Sequence, residues 1–93
     1  MLSKQFIGKG EVKGFSFKQL FFENGVYLYE VSNEGQVWYE VFEHRINTQF
    51  GNVIYPSSKV FGVWAYSTVD YDRAIEIMRE LGSRQFARNF KQK

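Results

Sequence analysis

Apolar and polar positions alternate through the first half of the chain, punctuated by two turns of similar chemistry, Phe22-Glu23-Asn24-Gly25-Val26 and Ser32-Asn33-Glu34-Gly35-Gln36. Between them lies Val26-Tyr27-Leu28-Tyr29-Glu30-Val31, a run of β-branched and aromatic residues bounded by turn signals, as in a strand. A strand within Glu11 to Phe22 precedes it and another follows Gln36. Asn-Gly suits a two-residue type I′ turn, but a three-residue loop with Gly25 left-handed sets Phe17 against Val31, Gln19 against Tyr29 and Lys18 against Glu30. The three-residue loop is therefore expected at Glu23-Asn24-Gly25 and again at Asn33-Glu34-Gly35.

Counting outward from those loops predicts two faces. Phe15, Phe17, Phe21, Tyr27, Tyr29, Val31, Val37, Tyr39 and Val41 form the expected core face. Ser16, Lys18, Leu20, Phe22, Val26, Leu28, Glu30, Trp38, Glu40, Phe42 and His44 form the opposite one. Asn47 to Ser58, with the only proline, reads as a long connection. A fourth strand, Lys59 to Ser67, is expected to pack Phe61, Val63 and Ala65 inward and to place Trp64 and Tyr66 outward.

Asp70 is the expected N-cap of one helix, and Tyr71, Ala74, Ile75, Met78 and Leu81 follow at helical spacing. Gly82 stands where a glycine would end it. The expected fold is α+β: a four-stranded antiparallel meander and one C-terminal helix on one face, β-β-β-β-α. Residues 1–83 form the single domain, and residues 84–93 form a basic tail or short helix.

At 93 residues the chain is sized for one core, and without cysteine that core has no staple. Aromatics at 19% exclude a disordered segment. The N-terminus lacks the apolar region of a signal peptide and no long apolar run occurs, so a cytoplasmic protein without a membrane partner is expected. Residues 84–93 hold Arg84, Arg88, Lys91 and Lys93 and no acid, which leaves residues 1–83 at a net −2.

Trp38, Phe42, Trp64 and Tyr66 are the candidate binding residues, because Trp and Tyr stack on bases and anchor protein interfaces. Lys18, Arg84 and Arg88 are the cations placed to assist them. A competing reading puts Trp38 and Trp64 in a second small core under the tail or the loop around Phe50. Glu30 and Glu40, as diagonal neighbours, have a spacing compatible with acid–base work, but that spacing is generic to sheets. His44 is the only histidine, with no cysteine beside it, and Gly8-Lys9-Gly10-Glu11-Val12-Lys13-Gly14 fits no phosphate-binding spacing. No metal, cofactor or enzymatic activity is expected.

In element order alone the plan resembles the small β-β-β-β-α modules of the PUR-repeat and Whirly type, although none of their sequence motifs is present. That resemblance implies single-stranded nucleic-acid binding and assembly through sheets and helices. The leading expectation is thus a single-stranded nucleic-acid-binding module. The alternative is a homodimerising protein–protein interaction domain, and both include self-association. Glu30 and Glu40 count against phosphate on the expected outer face.

Overall fold

A computed structural model describes residues 4–8, 13–46 and 53–91. Five strands, β1 (Gln5–Ile7), β2 (Ser16–Glu23), β3 (Val26–Asn33), β4 (Gln36–Glu43) and β5 (Ala65–Thr68), form one antiparallel sheet in chain order, and α1 (Tyr71–Lys91) packs over β3, β4 and β5. The class is α+β, as the pattern predicts, with one strand more than expected. That strand, β1, is too short to show alternation. It is held by its partner, with Phe6 opposite Phe17 and their rings stacked at 4.5 Å.

Both tight turns have two residues, not three. Asn24 and Gly25 have φ of 52° and 75°, and Glu34 and Gly35 have 50° and 80°, so both central residues are left-handed as a type I′ turn requires. The first hairpin nevertheless keeps the expected pairs Phe17–Val31, Lys18–Glu30 and Gln19–Tyr29, because a bulge at Leu20 absorbs the extra residue. Leu20 then packs with the helix-side cluster, and Phe21 borders a groove against Ile75 and Met78. The second hairpin has no bulge. Its pairs are Val31–Trp38, Tyr29–Glu40 and Tyr27–Phe42, one residue off the expected register. A slip of one residue exchanges the faces of a strand, so Trp38, Glu40 and Phe42 join Tyr27, Tyr29 and Val31, while Val37, Tyr39 and Val41 turn to the other side.

Each face of the sheet therefore carries a packed cluster. On one, Val26, Leu28 and Val41 pack beneath Ala74, Ile77, Met78 and Leu81 of α1. On the other, Phe17, Tyr27, Tyr29, Val31, Phe42, Trp64 and Ala65 pack beneath Val53, Ile54, Tyr55, Val60 and Phe61 from the connection after β4. The expectation that the helix covers the aromatic face is corrected: it covers the aliphatic one. The rings of the aromatic face interlock edge-on with the connection instead, as Tyr55 does with Phe17 at 76° and Phe42 at 80°. Phe50 lies outside the described residues.

The last strand is shorter than expected. Gly62, at φ 90°, turns the chain, Val63 is exposed, and a regular strand begins only at Ala65. Asp70 caps α1 as expected, its Oδ1 accepting from the amides of Asp72 (2.9 Å) and Arg73 (3.3 Å). Gly82 does not end the helix, which continues to Lys91 across the boundary expected at residue 83. Gly82 is buried, and a Cβ there would stand 3.3 Å from Cβ of Asn24. The glycine lets the helix approach the first hairpin turn, a tertiary requirement that resembles a C-cap signal in the sequence.

Candidate functional site

The structure brings Trp38, Phe42 and Trp64 to one face but closes that face over them. Phe42 is fully buried, its ring parallel to that of Tyr29 at 5.7 Å. Trp64 is 8% exposed, with the Arg45 guanidinium 4.8 Å from its ring centroid. Trp38 is half-buried at the margin, edge-on to Phe15. Tyr66 belongs to the helix-side cluster, and its hydroxyl accepts from Nη2 of Arg84 at 3.2 Å. Lys18 is exposed beside Glu30 on the helix side, near the opposite edge of the sheet from Tyr66. Arg88 lies on the last turns of α1, and its side chain is outside the described residues. The expected continuous surface of Trp38, Phe42, Trp64 and Tyr66 is thereby corrected to a covered cluster and one separate tyrosine.

Glu30 and Glu40 are likewise separated. Glu30 faces the helix side with Lys18, and Glu40 faces the aromatic side opposite Tyr29, because of the one-residue slip of β4. No pair of carboxylates is left at acid–base spacing on one surface by these two residues. Among the described residues no group of three or more His, Cys, Asp or Glu could hold a metal ion.

Sequence reasoning missed the polar contacts that fasten the connection to the sheet. Glu40 is 5% exposed. Its Oε2 accepts from Nε1 of Trp38 at 3.0 Å, and its Oε1 accepts from the hydroxyl of Tyr55. Burial pushes its carboxyl above the ordinary carboxylate range, and the two donors only partly offset this. Glu43 is also buried, and its Oε1 receives Nε and Nη2 of Arg45 at 3.1 and 2.8 Å. Arg45 in turn covers Trp64. The hydroxyl of Tyr27 and Nδ1 of His44 lie 2.9 Å apart, in hydrogen-bond contact. Tyr55, in a segment without periodicity, gives no local signal of its role in these contacts.

The helix side is covered only in part. Two cross-strand rows run past the helix-packed cluster: Ile7, Ser16, Ser32 and Val37, then Gln5, Lys18, Glu30 and Tyr39, of which Tyr39 alone packs against the cluster. Gln5, Ile7, Ser16, Lys18, Glu30 and Ser32 border a shallow cavity of about 460 Å³. Tyr39 is met by the edge of Tyr71 at 5.5 Å. Ile7 is 62% exposed and Val37 is 48% exposed.

Among the described residues no helix is long and apolar enough to cross a membrane. No protein-family model, curated protein or solved structure matches the chain.

Proposed function

We propose that the protein is a non-enzymatic interaction domain that associates weakly with a second copy of itself, rather than a stacking platform for single-stranded nucleic acid. The observation that carries this reading is the uncovered corner of the helix side, where the exposed Ile7 and Val37 flank Ser16, Ser32 and the oppositely charged Lys18 and Glu30. Adjacent charges of both signs suit a polypeptide surface, whereas a phosphodiester chain is bound by net positive charge. The rings that would stack on bases are already engaged with one another and with Tyr55.

The shape of the corner suits a second copy. A helix with its side chains is about 10–12 Å thick and stacked sheets lie about 10 Å apart. The open corner of one molecule therefore fits beside α1 of another, with both helices outside the seam. Without Tyr39, which the helix side covers, the two rows make a patch of roughly 220 Å². A standard interface takes about 800 Å² per partner, so the association is weak and concentration-dependent.

Sedimentation equilibrium from low micromolar to near-millimolar protein tests this, with a fluorescein-labelled oligothymidylate present at low and moderate salt. The expected result is a reversible monomer–dimer equilibrium that survives moderate salt, with the oligonucleotide sedimenting alone. A monomer at every concentration would overturn the reading. So would co-sedimentation of the oligonucleotide at low salt that disappears on adding salt through counterion release.

A further inference from the structure

The connection after β4 is held on the aromatic face by rings, and at Glu40 by a charge-capable contact. Tyr55 lays its ring edge-on to Phe6, Phe17 and Phe42, at 6.2, 5.0 and 5.5 Å between centroids, and its hydroxyl donates to the Glu40 carboxyl. Trp38, from the same strand as Glu40, donates to the other carboxyl oxygen. We propose that Glu40 is a proton-operated latch for the segment 53–61, which protonation seats and ionisation loosens.

The groups around the carboxyl explain the direction. Tyr29 stands opposite on β3, Ser67 opposite on β5, Tyr55 above in the connection and Trp38 beside it on β4, and all are neutral near pH 7. The charge-bearing side chains that follow it on the chain are engaged elsewhere: Glu43 with Arg45, His44 with Tyr27, and Arg45 also with Trp64. An ionised Glu40 thus sits in a ring-lined site with two hydrogen bonds and none of these neighbours as a counter-ion. When segment 53–61 lifts, water reaches the carboxylate and its affinity for a proton falls to the ordinary value. The closed form binds the proton more tightly than the open form, because burial outweighs the two donors.

The sign follows from linkage. The closed form is favoured most below the ordinary carboxylate range. Its advantage declines as pH rises to the elevated value that Glu40 has in the closed form, and is constant above it. The aromatic face, with Trp38 at its margin, is accordingly covered more firmly in acid than at neutral pH.

Amide hydrogen exchange of residues 53–61, corrected for intrinsic rates, tests the latch in the whole protein alongside the Trp38 indole proton shift. In the wild type, protection should fall by up to about tenfold per pH unit across that window, and the indole should titrate with a midpoint above the ordinary carboxylate range. Glu40→Gln should show neither change. Tyr55→Phe keeps the ring and removes a donor that favours the charged form, so it should move the indole midpoint upward. This variant keeps the test decisive if Glu40→Gln fails to fold. Protection independent of pH in the wild type would overturn the latch. So would an indole midpoint in the ordinary range, or one that Tyr55→Phe leaves in place.

Discussion

Replacing Phe42 with alanine is expected to lower the unfolding free energy by about 3–5 kcal/mol, the range for truncating a buried aromatic ring. Phe42 has no exposed surface, and its ring touches Tyr27 at 5.4 Å, Tyr55 at 5.5 Å and Tyr29 at 5.7 Å. Alanine would leave a cavity between the sheet and its cover that neither side can readily collapse into. Urea unfolding followed by circular dichroism measures the cost. Small domains are stable by only about 5–15 kcal/mol, so the loss is a large share of the total and should bring a clear fall in the urea midpoint. A platform residue facing solvent would cost within about 0.5 kcal/mol. A small effect would therefore place Phe42 on an open surface and remove the second core from the account.

Replacing Leu28 with alanine should cost about 2–5 kcal/mol, and it tests the opposite face. Leu28 is fully buried among Val26, Val41 and the α1 residues Ala74, Met78 and Leu81. Were the helix on the aromatic face, as the alternation pattern predicts, Leu28 would instead point away from it. Lys18→Ala, on the same face but in the uncovered rows, is the control and should change stability by less than about 0.5 kcal/mol. Equal, small losses in both variants would show that α1 packs on the other side of the sheet. Together with Phe42, this comparison distinguishes a sheet covered on both faces from one covered only by its helix.

The sequence shows the meander, the positions of both turns, the Asp70 cap and the apolar stripe of α1, because each has a local chemical signal. The choice of covered face was less legible. Asn-Gly and Glu-Gly are compatible with either a two-residue turn or a three-residue loop, and the distinction rests on where Leu20 and Phe21 pack. β4 resists a reading by alternation because Val37, Trp38, Tyr39, Val41 and Phe42 put large apolar groups on both of its sides. Glu40 argues for the wrong side on its own, since a lone glutamate looks solvent-facing. It becomes a core residue only when Trp38 and Tyr55 supply donors, and Tyr55 lies 15 residues away in a segment without periodicity.

Candidate site residues were harder still. Trp38, Phe42 and Trp64 do gather on one face, so the aromatic grouping was legible, but whether that face is open depends on the connection that covers it. Alternation ties Tyr66 to Trp64 only if one strand runs from Lys59, whereas Trp64 lies in the turn before the strand that begins at Ala65. Lys18 and Glu30 were paired correctly, through the bulge at Leu20. Their importance as an uncovered corner emerges only once the helix is seen to lie over β3, β4 and β5.

The closure of the aromatic face is tested most directly by proton nuclear Overhauser contacts from the Tyr55 ring in the native protein. Its centroid lies 5.0 Å from that of Phe17, 5.5 Å from Phe42 and 6.2 Å from Phe6. Cross-peaks from the Tyr55 ring to all three are the expected result. A Tyr55 ring with random-coil shifts and no contacts to Phe6, Phe17 or Phe42 would contradict the covered face.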